Sequence, residues 1–260
     1  FVIIDNRQTI TNLTKEQITK ICDRKFIGCD QLILIKKNDI SDASLEFYNS
    51  DGGMSGACGN GTRCIADLLG KENNKKEIVL TTLSGKLKSN IVGEKMVSTE
   101  IGVAKTKWDE IPLSKELNTN NLGIKINDKN NNEFSGGTAI NVGNPHVVFF
   151  VDNNENFEIE KIGPKIETHS LFPEKCNVTL ATVVNKELIK VRVWERGAGL
   201  TKACGTAACA TAFAAKQNGL VNDKVDIEFS TGRLTISIDE NNIIHMKGPV
   251  SDIKNIEIKI

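Results

Sequence analysis

The feature that most constrains this chain is a recurrence. ACGNGTRC opens at Ala57 and ACGTAACA at Ala203, 146 positions apart (203 minus 57). A motif that returns at a fixed spacing calls for a test of internal duplication. YNSDGGMSGACGNG (Tyr48 to Gly61) lies over WERGAGLTKACGTA (Trp194 to Ala207) without a gap, with Gly53 on Gly199, Met54 on Leu200 and Cys58 on Cys204. The same offset sets Gln31 on Asn177 and Gly102 on Gly248. LSGKL from Leu83 echoes STGRL from Ser230 at 147, and FVIIDN echoes VVFFVDN with Asp5 on Asp152. A unit of this length is a domain and not a solenoid period.

Each copy reads as short β-branched and apolar strands around one helix that follows the Cys-Gly. The strands are Leu32 to Lys36, Leu45 to Tyr48 and Ile78 to Thr82 in the first copy, and Thr179 to Val184, Ile189 to Trp194 and Val225 to Phe229 in the second. One helix among many strands predicts an α+β class with mixed or antiparallel sheets, because the strict strand-helix alternation of a doubly wound fold is absent. The expected division is a first domain of residues 1–103 completed by 250–260, and a second of 104–249. The Asn-rich run from Asn118 to Phe134 reads as turn and loop around one short strand.

Lys plus Arg balance Asp plus Glu at 33 each, so no charge excess points to nucleic acid or an anionic membrane. The longest apolar runs, such as HVVFFV from His146, are far shorter than a bilayer span, and no leader pattern is visible. Seven cysteines without a zinc-ligand spacing predict reduced thiols, a cytoplasmic protein and no metal. Phe1 already stands in strand-like sequence, so the natural start is expected upstream. Arg occurs six times against 27 Lys, which makes each Arg a candidate for bidentate carboxylate recognition.

The chemistry centres on the two helix starts. Small residues follow each Cys (Gly59, Asn60, Gly61; Gly205, Thr206, Ala207) before helix formers take over. Unpaired N–H groups and the helix dipole at such a start favour negative charge, so Cys58 and Cys204 are expected to have lowered pKa values, and the same N–H groups can hold a carboxylate. Two such starts facing one carboxylic acid would place a thiol on each side of its α-carbon. One thiolate would remove the α-proton and the other thiol would deliver one, inverting the centre without a cofactor. Cys22, Cys29, Cys64, Cys176 and Cys209 read as packing residues, since free Cys behaves as a small hydrophobe. Arg63 reads as a helix-face residue, and His169 and His245 as structural or surface.

ACGNGTRC, WERGAG before ACGTAACA, GNPH, FPEKCN and YNSDG, in this order-specific set across nearly the whole chain, resemble the diaminopimelate epimerase family. The resemblance implies two similar domains, each a sheet curled around a central helix, with the active site in the cleft between them. It implies cofactor-independent conversion of LL- to meso-diaminopimelate in lysine and peptidoglycan synthesis, and a homodimer as the expected assembly. It assigns Cys58 and Cys204 as the acid-base pair, and His146 and Glu195 as residues important for activity. Substrate binding falls to Gln31, Asn49, Gly59, Asn60, Asn144, Asn177, Glu195, Arg196, Gly205 and Thr206. A family Asn in a Gly-Asn-Asp-Phe segment would precede Phe1. Chemically, Arg196 can clamp a carboxylate and Glu195 an ammonium, as a substrate with two of each requires.

Proline and hydroxyproline racemases use the same two-thiol logic but usually carry His after the first Cys-Gly, where this chain has Asn60. A two-lobed amino-acid-binding module without turnover is the alternative from another class; a thiol redox switch is a third.

Overall fold

The computed structural model describes residues 1–56 and 58–258. Ala57, the first residue of the first Ala-Cys-Gly, lies outside the described residues, as do 259 and 260, the last two of the expected first domain. The chain separates into two compact units, Phe1–Glu100 with Gly248–Ile260, and Ile101–Lys247.

The first unit runs β1 (Val2–Asn6), α1 (Lys15–Cys22), β2 (Gln31–Lys36), β3 (Ala43–Asn49), β4 (Met54–Ser55), α2 (Gly59–Asn73), β5 (Glu77–Thr82), β6 (Gly85–Gly93) and β7 (Met96–Val103). Its sheet order is β1-β2-β3-β5-β6-β7, with β4 beside β3. The β1-β2 and β3-β5 pairs are parallel and the others antiparallel.

The second unit adds a hairpin, β8 (Ile124–Asn127) and β9 (Glu133–Gly136), then β10 (Thr138–Asn141). It continues with β11 (Pro145–Phe150), a 3-10 turn at Asn154–Asn156, α3 (Ile159–Glu167), β12 (Asn177–Asn185), β13 (Leu188–Glu195) and β14 (Gly199–Thr201). It closes with α4 (Gly205–Gln217), β15 (Lys224–Phe229), β16 (Gly232–Ile238) and β17 (Ile243–Pro249). From β11 onward the pairing repeats that of the first unit: β11-β12 and β13-β15 are parallel, and β12-β13, β13-β14, β15-β16 and β16-β17 antiparallel.

Even the register is duplicated. Leu32 opposes Tyr48 as Val178 opposes Trp194, and Tyr48 opposes Met54 as Trp194 opposes Leu200, every partner 146 positions on. In the parallel pair after the helix, Ala43 meets Leu80 while Ile189 meets Ile227, so the second partner has moved on by 147. The extra residue therefore lies between the helix start and the following strand, where a loop absorbs it without flipping any strand face.

The central helices are held differently. α2 buries Ile65 and Leu69 against Ile33, Ile35, Leu45, Phe47, Ile78 and Leu80. α4 is built from small residues and buries Ala207, Ala208, Cys209, Ala210, Thr211, Ala212, Ala214 and Ala215, so it is covered nearly all round by strands β10, β11, β12, β15 and β16. Small residues allow the sheet to approach the helix backbone. At Gly61 an added Cβ would lie 2.8 Å from Ile33 Cδ1 and 3.1 Å from Phe47 Cε1.

Each unit contains a second helix that the sequence reading did not place. α1 begins with a capping box, Thr14 Oγ1 accepting from the Gln17 N–H and Gln17 Oε1 from the Thr14 N–H. It packs Ile18, Ile21 and Cys22 on Val2, Leu32 and Leu34, the opposite sheet face from α2. β2 is thus buried on both faces, which explains its unbroken LILI run. α3 stands at the corresponding place in the second unit. The Asn-rich run carries two strands, β8 and β9, where one was expected: Ile124 and Ile126 turn inward into the core, and Asn-Asp turn residues make the hairpin bend.

Candidate functional site

Alternation along the strands brings the predicted residues of each repeat to its helix start. In the first unit, Ile33 and Phe47 form a cross-strand pair that touches the first turn of α2, and Gln31 and Asn49 form the pair two residues further on, on the same face. Gln31 Nε2 donates to Asn49 Oδ1 at 2.9 Å. Cys58 is the N-cap of α2 in extended geometry. Its sulfur accepts the Gly61 N–H at 3.3 Å, and its carbonyl accepts the Thr62 hydroxyl at 2.8 Å. Asn60 Oδ1 accepts from Arg63 Nη2 at 3.0 Å. Arg63 is 4 % exposed, so the expectation of a helix-face residue is corrected: it points inward and braces Asn60.

The second unit repeats this with more charge. Cys204 is the N-cap of α4 with nearly the same dihedrals, and its sulfur stands 3.4 Å from Thr206 Oγ1. Asn177, at the head of β12, is 2 % exposed. Its Nδ2 donates to the Pro145 carbonyl at 2.9 Å and its Oδ1 accepts the Arg196 N–H at 3.0 Å. His146 is fully buried beside it, with Nε2 2.8 Å from Asn144 Oδ1. Because Oδ1 only accepts, this contact requires the Nε2–H tautomer and leaves Nδ1 without a hydrogen bond. Arg196 Nη1 donates to the Glu174 carbonyl at 2.9 Å. Glu195 and Arg196 occupy the places of Asn49 and Ser50 in the first repeat.

The lowered thiol pKa values expected from the helix starts are corrected. Burial pushes the Cys58 thiol up to about 11, against the smaller opposing effects of the Gly61 N–H and the Arg63 charge. Cys204 is also pushed up, first by burial and then by the neighbouring Glu195 carboxylate. Loss of hydration of a thiolate outweighs the half-charge of a helix end. Burial, with the Arg196 charge in support, drives His146 down to about 3, so the ring is neutral at ordinary pH. The ring therefore meets Asn144 as a neutral hydrogen-bond donor and not as a resident cation.

The cysteines read as packing residues are buried or half-buried thiols. Cys22 and Cys29 lie 3.4 Å apart through sulfur in the core beneath α1, and Cys64 packs on the α2 core. His245 is paired with Asp239, and His169 Nδ1 accepts the Leu171 N–H. Among the described residues no group of three or more His, Cys, Asp or Glu could hold a metal ion, and no helix is long and apolar enough to cross a membrane. Glu167 at the end of α3, not singled out in sequence, accepts Trp194 Nε1–H at 2.8 Å and Gly197 N–H at 3.1 Å, so it bonds the residues on both sides of Glu195-Arg196. An acid among 33 gives no signal without the fold.

Solved structures share this fold. A phenazine biosynthesis protein from Bacillus anthracis superposes with a TM-score of 0.65 over 95% of this chain and 90% of its own, at 16% identity. A hydroxyproline epimerase from Agrobacterium vitis with bound trans-4-hydroxy-L-proline gives a TM-score of 0.62 over 89% and 77%, at 12% identity. Identities this low show the fold alone: the chain has the α+β fold of these epimerases and phenazine-biosynthesis proteins. Sequence narrows the class further. The diaminopimelate epimerase family profile matches residues 1–107 and 138–253. The diaminopimelate epimerase of Pelagibacter ubique (strain HTCC1062) is 69% identical over 260 residues, covering 100% of this chain and 95% of that protein. That of Acidiphilium cryptum (strain JF-5) is 39% identical over 252 residues, 96% and 89%. The chain belongs to the diaminopimelate epimerase family.

Proposed function

We propose that this protein is an isomerase that interconverts LL- and meso-diaminopimelate without a cofactor. One observation carries the reading: in a chain of this family, Cys58 and Cys204 are the N-caps of the corresponding helices of two repeats that share strand register.

In the forward direction the Cys58 thiolate takes the α-proton, breaking Cα–H and becoming a thiol. The Cys204 thiol gives its proton to the other face of the same carbon and becomes the thiolate. The reverse reaction exchanges the roles. Burial makes each thiolate scarce, but the thiolate that does form is a stronger base, which narrows the gap to the weakly acidic α-C–H. The helix-start N–H groups of Gly59, Asn60, Gly205 and Thr206 receive the α-carboxylate and the negative charge that develops as the proton leaves.

Glu195 and Arg196 take an ammonium and a carboxylate, while Gln31, Asn49, Asn144 and Asn177 supply amide contacts. His146 acts through Asn144. Polar groups of this kind, once a bound substrate covers them, are left unpaired by a shorter amino acid, which gives selectivity for a long zwitterion. The two repeats are proposed as domains, residues 1–103 with 250–260 and residues 104–249. The cytoplasm is the proposed location, a homodimer the proposed assembly, and no nucleic-acid partner is invoked.

The test is incubation with LL-diaminopimelate in deuterium oxide, with proline offered in parallel. Deuterium at the α-carbon together with meso product supports the reading. Exchange into proline instead favours a proline racemase, and binding without exchange overturns turnover altogether.

A further inference from the structure

We infer that Glu167 is the positioning residue for the Glu195-Arg196 dipeptide: its two carboxylate oxygens grip Trp194 and Gly197, the residues on either side, and so set the shape of the turn that presents both charges. The substrate part of this inference rests on the function proposed above.

The geometry is complete within the second unit. Oε2 accepts the indole N–H of Trp194 at 2.8 Å, and Oε1 accepts the backbone N–H of Gly197 at 3.1 Å. Between these two anchors the Arg196 N–H is tied to Asn177 Oδ1 at 3.0 Å, and just beyond them the Ala198 N–H closes the turn on the Glu195 carbonyl at 3.1 Å. Gly197 holds φ at 74°, a conformation that favours glycine, so the turn needs external bonds to keep one shape. Trp194 cannot swing away, because its ring lies against Gly163 of α3, where even a Cβ would collide. Glu167 itself is 8 % exposed, and Lys175 Nζ stands 4.0 Å from its Oε1. A carboxylate this buried is costly unless donors meet it, and here the donors are those of the turn.

Comparison of the repeats sharpens the assignment. The counterpart of Glu167 at an offset of 146 is Ile21 and at 147 is Lys20, neither an acid. The counterpart turn carries Asn49 and Ser50 and closes by the equivalent bond, Gly52 N–H to the Asn49 carbonyl at 2.9 Å, so the carboxylate brace is what the second repeat adds. The extra buried carboxylate appears only in the repeat whose turn carries the charged pair. A neutral filler would serve packing equally well. A two-oxygen acceptor is needed to hold two donors three positions apart in sequence.

The experiment compares the full-length protein with Glu167→Gln and with Glu167→Gln combined with Trp194→Phe. In the single variant the new amide NH2 opposes a donor and only one acceptor remains. In the double variant the indole donor is gone and the Gln carbonyl can serve Gly197. Three quantities are read: hydrogen exchange of the amides at 195 to 197, KM and kcat for LL-diaminopimelate, and the thermal midpoint. The single variant is expected to speed exchange at the turn and to raise KM about tenfold with kcat within about twofold, the scale of one lost bond to a charged group. The double variant should recover most of both. Unchanged exchange and KM in the single variant, or a double variant no better than the single, overturns the inference; so does a fall in thermal midpoint without a change in KM. If the wild-type protein does not turn over diaminopimelate, the proposed function fails, and the exchange measurement still decides whether Glu167 shapes the turn.

Discussion

The Gly61 amide donates to the sulfur of Cys58 at 3.3 Å, one turn into the helix that Cys58 caps. The sulfur therefore holds the place that Ser or Asp fills in ordinary N-caps, and its position is set by the helix itself.

Cys58→Ala and Cys204→Ala should each abolish epimerisation while the far-ultraviolet spectrum and the cooperative melt persist. Cys64→Ala, which changes a packing thiol on the next turn, should retain turnover within a few fold. Near-normal activity in either of the first two variants would remove the two-thiol mechanism.

Stability should fall at alkaline pH. A thiol with its pKa raised to about 11 keeps its proton while the unfolded chain, near 9, has lost it, so the folded state binds more protons across that window. The stabilisation is complete below about 9 and disappears as pH rises through 11. Denaturation midpoints from pH 8 to 11 should decline less steeply in Cys58→Ala; identical slopes would count against the buried thiol.

His146 reverses the sign. With its folded pKa near 3 and an unfolded value near 6.5, the unfolded chain binds the extra proton between them, so stability drops as pH falls from about 6.5 toward 3. The imidazole resonances of His146, assigned by its replacement, should show no titration between pH 8 and 5. A midpoint above 6 would refute the neutral, orienting role.

Gly163→Ala should destabilise the protein, although Gly to Ala in an exposed helix usually helps. The new methyl meets the Trp194 ring, and overpacking of this kind costs about 1–3 kcal/mol. A shifted tryptophan emission together with a lower thermal midpoint is the expected pair of signals.

Much of the architecture was legible because a duplication fixes pairings that a single copy leaves open: the match of Gln31 to Asn177 carries the strand register with it. The helices α1 and α3 were missed for different reasons. α1 is only eight residues long, and α3 contains Gly163 and Pro164, which read as breakers until tertiary contacts hold them in helix. The hairpin of β8 and β9 was hidden by its own turn residues. The thiol pKa values went the wrong way because the sequence displays a helix start but not its burial. Arg63 shows the same limit, since one turn of helix decides whether a cation meets water or Asn60.

Val250 contributes to the core around α2, and its N–H donates to the Lys95 carbonyl at 2.9 Å, while Asp252 pairs with Lys95 at 2.6 Å. These partners are separated in sequence by the whole of the second unit, residues 101–247. During synthesis the ribosome must therefore finish the second unit before the first can be sealed. The half that begins first matures last, and its Cys58 stands on an unfinished core in the interval.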